Sequence, residues 1–465
     1  MDLLACASNN LSITSKQHPS KSRSPQPEHH QWFEPWMIAK GRAAKALVEA
    51  TIKLVEDQEK CTGARIRARR PADQALHLKR VEAIVCNLAH AVLVPSPTGR
   101  IAIPLGHGLK GRSRYESPFM GKPLSQLLDT LVALSLLDRK WQMIRGEVTS
   151  IAPTELLASM IAEFGVQLSD FGRDEGEEVI LLSRKKRAGY GSCKREFIDY
   201  SDNFSTCADR EEVRRLNAFL EQSDIGFIDD GVTPLVDPFD RTMKRHHVIR
   251  EGQHPRFDQC GRLYGGFWQN LKKDRRRNIR INGEPIAVLD FRSMFPRLAY
   301  AAVGAVPPKG DLYAIPGLEG YRSGVKLVMN ALLYGDRPRC RLPRGIGVGI
   351  GDDWVVHSDP DGIAKQCKAR LPKGWTIRRL KEAILTVHPC LEETWERDLG
   401  LTLMHQESEI LLAILLDLIS RNIPALGLHD GLFVPQSQKV VAKEVMERKG
   451  QEMTGILLPM SCQLD

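Results

Sequence analysis

Apolar positions recur at helical spacing through much of the N-terminal half of the chain. Ile38, Ala44, Leu47, Val48, Ile52 and Val55 share one face of a helix over residues 36–57, and a second helical pattern covers 72–92. Leu124, Leu127, Leu128, Leu131, Leu134 and Leu137 predict a third, followed at 141–151 by a short hairpin turning at Arg145-Gly146. Helices followed by a small hairpin suit a winged-helix-like module; they suit equally a helical bundle with a stray hairpin and no nucleic-acid contact. A further helix is expected at 211–222. Beyond residue 241 the period changes, and short β-like runs at 286–289, 426–428 and 432–434 alternate with helical patterns at 322–334 and 406–419. The expected fold class is therefore α/β (α+β), a mixed C-terminal domain preceded by a mainly helical N-terminal region.

Polar stretches mark the expected boundaries. Residues 1–35 are rich in Ser, Pro, Gln and Asn with almost no aliphatics after Ile13, so they read as a disordered tail. Residues 183–210 carry the basic cluster Arg184, Lys185, Lys186 and Arg187 and read as a linker. The organisation expected is a tail at 1–35, a helical domain at 36–182, a linker and connecting helix at 183–240, and the mixed domain at 241–465. The longest apolar run, 410–419, is broken by Asp417 and falls well short of the ~20 residues of a membrane span, so no membrane partner is expected.

Composition narrows the class. With 465 residues, 42% hydrophobic and 26% charged, the chain is neither disordered throughout nor collagen-like nor a small disulfide scaffold. Its ten cysteines are scattered singly without a CxxC pair, which fits reduced thiols in a cytoplasmic protein. His29-His30 and His246-His247 lack zinc-ligand spacing. Lys and Arg number 66 against 57 Asp and Glu, a formal charge of +9. Between Arg241 and Arg280 twelve basic residues stand against three acidic ones, a surplus equal to that of the whole chain, and Arg275, Arg276 and Arg277 are its densest point. That concentration suits a polyanionic partner such as nucleic acid, or else a solvated basic face.

Three segments of the mixed domain carry candidate chemistry. In the first, the apolar run 287–289 ends in Asp290 and passes towards a helix through Phe291-Arg292-Ser293-Met294-Phe295-Pro296-Arg297. An Asp in such a place is commonly a helix N-cap. In the second, Arg322, Lys326, Asn330 and Tyr334 recur every fourth residue on an otherwise apolar helix, a stripe able to grip a triphosphate at one end and stack a base at the other. The third is His429-Asp430-Gly431 between two β-like runs, an ordinary hairpin turn that would also put a second carboxylate across a sheet from Asp290. Two carboxylates from different strands are what a two-metal phosphoryl-transfer site needs, with Mg²⁺ or Mn²⁺ ions ~3.5–4 Å apart.

These segments resemble motifs A, B and C of the single-subunit nucleic-acid polymerases, the DNA polymerase I family and the related phage-type RNA polymerases. Motif A is matched by Asp290 with Arg297 seven residues on, motif B by Arg322, Lys326, Tyr334 and Gly335, and motif C by His429-Asp430. Gly261-Arg262-Leu263, Asn270-Leu271 and Gly283 resemble the stretch that precedes motif A in the DNA polymerase I family. Order and spacing agree from Gly261 to Pro435. Three positions depart from the pattern: Phe295 stands where that family has a Glu, Asn330 replaces an aromatic residue, and Gly431 replaces an acid.

The resemblance implies a palm-and-fingers fold and a template-dependent nucleotidyltransferase. Asp290 and Asp430 would hold the metal ions, with Arg322, Lys326, Asn330, Tyr334 and Phe295 around the nucleotide. Lys326 would also serve as the acid for departing pyrophosphate. Arg262, Arg297, His429 and Gln406 would contact the primer–template, and Arg275, Arg276 and Arg277 its phosphates. An aromatic gate at Phe295 favours DNA over RNA synthesis. The alternative is a catalytically inactive polymerase-like nucleic-acid-binding protein serving replication of a plasmid, phage or other mobile element, which the missing acid at Gly431 would suit. The partners expected are a primer–template, read as DNA, and nucleoside triphosphates; the sequence points to no protein partner. The Gly-rich run at 345–351 reads as a flexible loop, with Asp352 and Asp353 as a solvated pair, and Phe267 and Trp268 suit either stacking on nucleic acid or the core.

Overall fold

The helical and β-like stretches fold into two separate units in the computed structural model, which describes residues 31–105, 113–141, 148–188, 192–343, 345–350, 353–356 and 369–464. One unit comprises Met1–Pro35, Lys45–Leu109 and Gly121–Val166, the other Trp36–Ala44, Lys110–Met120 and Gln167–Asp465. The chain is thus a mixed helix-and-sheet protein. Among the described residues no helix is long and apolar enough to cross a membrane.

In the first unit the helices Pro71–Leu93, Lys122–Ala133 and Glu155–Phe164 accompany a small sheet ordered Gln31–Trp32, Ile101–Ala102, Ser150–Pro153, Leu137–Lys140. Pro71 opens its helix at the position where a missing N–H costs nothing. Thr154 caps the last helix through Leu157 N (3.3 Å), and Gly165 ends it in the left-handed region at φ 67°. The expected leucine helix ends at Ala133, and Leu137 instead opens the first arm of the hairpin. The hairpin turn expected at Arg145-Gly146 lies outside the described residues, as do residues 1–30 of the expected tail.

The second unit is organised around the strand Glu284–Phe291. It pairs antiparallel with Gly431–Pro435 on one side, and on the other with Ile279–Ile281 and with the C-terminal strand Met460–Leu464. A second sheet runs in the order Cys260–Gly265, Met243–Ile249, Ile180–Ala188, Ser192–Phe197. The helix Arg322–Leu333 buries Val325, Val328, Met329 and Leu332 in the core that also takes Ile286, Ala287 and Leu289. Its Gly324 meets the strand Ala369–Pro372 so closely that a Cβ would stand 2.3 Å from the Arg370 carbonyl oxygen. The helix Gly400–Ser420 is longer than its apolar pattern suggested, and only its outer side meets solvent.

Several expectations need correction. Residues 183–210 are not a linker: Ile180–Ala188 and Ser192–Phe197 form a hairpin whose first strand also pairs in parallel with Met243–Ile249. Lys and Arg carry no strand signal of their own, and the pairing is fixed instead by Ile180 and Leu182, which enter the core. The compact units alternate along the sequence, the second taking Trp36–Ala44 and Lys110–Met120 as well as Gln167–Asp465. Residues 36–57 open with a strand, Met37–Ala39, before the helix Arg42–Cys61 begins. The Gly-rich run is not a loop, since Ile346–Ile350 pairs on both sides with Asp353–Val356 and Ala369–Pro372. Gly351 and Asp352 lie outside the described residues. Trp268 is fully buried and donates to the Gly427 carbonyl (2.9 Å), and Phe267 is buried beside it, so both belong to the core.

Buried Arg241 ties the helix Phe204–Gln222 to the strand Ile225–Phe227. It donates to the carbonyls of Leu220 (3.1 Å), Ser223 (2.7 Å), Ile225 (2.5 Å) and Pro238 (2.6 Å). Replacing it with Met strands these acceptors, so Arg241→Met should lower unfolding free energy in urea by about 2–4 kcal/mol. An unchanged midpoint and slope would contradict this role.

Candidate active site

Asp290 sits near the end of the central strand directly opposite Gly431 in the antiparallel register. Asp430 lies one residue earlier, in the two-residue turn that His429 enters with a left-handed backbone (φ 56°). The turn is locked to the strand by Phe291 N donating to Asp430 O (3.2 Å). The register therefore sets the two carboxyl groups beside one another on the lining of one cleft. Burial first, and the neighbouring Asp430 charge second, push the Asp290 carboxyl up to about 7, while Lys326 pulls it back.

Beyond the strand the chain turns sharply through Ser293, a non-glycine residue at φ 52°, into the helix Met294–Ala302. That turn points Phe295 back towards the carboxylates, where its ring stacks on Tyr334 with centroids 5.7 Å apart at 27°. The result is a cleft of about 750 Å³. Asp290, Asp430 and His429 line it together with Arg322, Lys326, Asn330, Tyr334, Phe295 and Arg262. Arg322 and Lys326 flank the Tyr313 ring at 5.0 and 5.8 Å from its centroid. The Asn330 side-chain oxygen is buried without a hydrogen-bond partner.

Five residues predicted to contact nucleic acid stand elsewhere. Arg297 is buried and donates to the carbonyls of Arg292 (3.1 Å) and Gly310 (2.8 Å), so it braces the loop behind the cleft. Gln406 does not line the cleft. Arg275 is held by both oxygens of Asp230 at 2.7 Å and by two backbone carbonyls. Arg276 is half-buried, donates to Leu271 O (3.2 Å) and lies over Phe433. Arg277 is exposed. The basic surplus of residues 241–280 is thereby largely answered within the fold. Lys244 pairs with Glu177, Arg245 with Asp209, Arg250 with Asp398, Arg256 with Asp258 and Arg262 with Glu407. Four of these acids, Glu177 and Asp209 before the basic stretch and Asp398 and Glu407 after it, lie where a local charge tally does not reach.

Two site residues escaped the sequence reading. Glu407 is almost fully buried, and its two oxygens accept from Arg262 at 2.9 and 2.5 Å. Burial pushes its carboxyl up to about 7, against the pull of Arg262. A signal existed: Glu407 falls at helical spacing among Leu403, Ile410 and Leu411, an acid on an apolar stripe. Asp311 lines the cleft from the loop after the helix Met294–Ala302 and binds Arg322; nothing in its local sequence marks it.

Asp290 and Asp430 form too small a set for a cage built from protein alone. Among the described residues no group of three or more His, Cys, Asp or Glu side chains is placed to hold a metal. Two repelling carboxylates nevertheless fit a hard divalent cation, which takes oxygen donors, keeps several waters and shares substrate phosphates. Gly431 has no room for a further acid, since a Cβ there would stand 2.6 Å from Leu289 O and 2.9 Å from the Asp290 Oδ1.

No protein-family model matches the chain, and no curated protein matches it. Among solved structures, the POL domain of Pol1 from M. smegmatis in complex with DNA primer-template and dNTP is similar at 9% identity and a TM-score of 0.27. The match spans 92% of this chain and 66% of that one.

The carboxylate pair makes a stability prediction. The folded-state pKa of Asp290 is raised from 3.8 to about 7. Its contribution is therefore fully present below the ordinary carboxylate value and is lost as pH rises through about 7. In EDTA, Asp290→Asn should be more stable than the parent at pH 8 by about 1–2 kcal/mol, and the difference should vanish towards pH 4. Thermal melting across that range measures it; an Asn variant that melts lower at pH 8 would contradict the repulsion.

Proposed function

We propose that the chain is a template-dependent nucleotidyltransferase of DNA polymerase-like type, with Asp290 and Asp430 holding Mg²⁺ or Mn²⁺. The observation that carries this reading is the convergence of residues from three separated segments on one cleft whose floor is a repelling carboxylate pair. Palm and fingers would correspond to the sheet bearing the carboxylates and to the helix Arg322–Leu333. Bound divalent ions would activate the primer hydroxyl and neutralise the leaving pyrophosphate.

The remaining chemistry belongs to positioning and charge, as phosphoryl transfer generally requires. Arg322 and Lys326 would grip the triphosphate, and Lys326 would pass a proton to the departing pyrophosphate. The Phe295–Tyr334 stack forms a wall that would seat the sugar and base and exclude a 2′-hydroxyl. His429, exposed on the hairpin tip, and Arg262, bonded to Glu407, would meet the primer end. Exposed Arg277 would add a phosphate contact. The second reading, a catalytically inactive nucleic-acid-binding protein, is favoured by one observation, the steric exclusion of an acid at Gly431.

Primer extension separates the two. Purified protein with Mg²⁺ or Mn²⁺ should add nucleotides to a primed template, with dNTPs preferred to rNTPs. Asp290→Asn or Asp430→Asn should each reduce the rate at least ~100-fold. Phe295→Ala should relax the sugar preference. Retained salt-sensitive DNA binding with no extension under any metal would favour the inactive reading.

A further inference from the structure

Arg322, which begins the helix Arg322–Leu333, already faces an anion of the protein's own in the cleft. Its Nε and Nη2 donate to the two oxygens of Asp311 at 2.5 and 3.0 Å, a two-point contact of the kind guanidinium makes with phosphate. Asp311 is itself tethered. Its Oδ1 accepts from Ser293 Oγ (3.0 Å) and Tyr313 N (3.3 Å), and the preceding Gly310 carbonyl is fixed by buried Arg297 (2.8 Å). The carboxylate is therefore built into the wall of the cleft by the same turn that follows Asp290. The pair is not sealed, since the Arg322 side chain is 54% exposed and that of Asp311 35%. An ion pair this open has small net stability and is easily exchanged.

We propose that Asp311 is a surrogate for the nucleotide's phosphates, holding Arg322 in its binding geometry while the cleft is empty and surrendering it when a triphosphate enters. This rests on the nucleotidyltransferase reading. On entry the Arg322–Asp311 bonds break and Arg322–phosphate bonds form, while Asp311 keeps Ser293 Oγ and Tyr313 N. When pyrophosphate departs, Asp311 takes Arg322 back. Asp311 is thus a positioning residue that weakens triphosphate and pyrophosphate binding alike and keeps product from lingering. The exchange also favours ligands with enough phosphate charge to displace a carboxylate.

The test is a double-mutant cycle on the full chain, read by equilibrium binding of Mg²⁺–dNTP to protein with a dideoxy-terminated primer–template and by steady-state extension. Asp311→Asn preserves the side-chain shape but not the charge. It should tighten dNTP binding and lower KM about 2–5-fold, strengthen pyrophosphate inhibition by a similar factor, and leave kcat equal or lower. In an Arg322→Ala background the same change should have no effect on binding. A merely structural Asp311 would instead weaken binding or stability in both backgrounds, which overturns the proposal. Unchanged binding in Asp311→Asn overturns it too, while leaving the nucleotidyltransferase reading intact. Failure of the parent to bind any triphosphate overturns both.

Discussion

Two carboxylates that repel one another are held side by side by a β-sheet register, and the rest of the cleft is arranged around that unfavourable pair. Neither can retreat: Asp290 is fixed by a strand paired on both sides, and Asp430 by a two-residue turn whose carbonyl is bonded back to Phe291. The core beneath, with Ile286, Ala287, Leu289, Leu432 and Val434 all buried, supplies the free energy that offsets the repulsion. Gly431 is the condition on which the pairing depends, because its missing Cβ leaves the space that the Asp290 carboxyl occupies. An unfavourable arrangement kept by a well-packed sheet is what the proposed cation would relieve.

The cations of the cleft are managed in a related way. Arg262 is matched by buried Glu407, and Arg322 by half-exposed Asp311. The two pairs differ in depth and hence in permanence. Removing Arg262 would leave a carboxylate buried without its partner, so that pair behaves as part of the scaffold. The Arg322 pair faces solvent and can open at little cost. Lys326 lines the same cleft, and its charge favours the ionised forms of both Asp290 and Glu407.

How much of this was legible in the sequence depended on whether the determining contacts were local. The strand through Asp290, the His429-Asp430 turn and the four-residue stripe from Arg322 to Tyr334 follow from period and turn chemistry, which act over a few residues. Their convergence on one cleft was implied by the resemblance to polymerase motifs A, B and C. The strand at 180–188 was not legible, because its place is set by pairing with a strand some sixty residues later. The intramolecular partners of Arg297 and Arg275 were hidden for the same reason. A lone arginine looks alike in sequence whether it meets a phosphate or, like these, backbone carbonyls and a distant Asp230. Asp311 became visible only through the arginine it holds.

Charge balance ties these features together. The cleft is lined by Arg262, Arg292, Arg322 and Lys326 against Asp290, Asp311 and Asp430, and buried Glu407 behind Arg262 brings the two signs level. A lining so balanced has no standing positive surplus for a triphosphate. The several negative charges of such a ligand are met only if anions already present give way or further cations enter with it. On the proposed reading, Asp311 would release Arg322, and Asp290 and Asp430 would take up a divalent ion. If the cleft is the proposed nucleotide site, phosphate and metal would each lower the cost of the other's entry, and the metal-bound triphosphate would be favoured over either component alone.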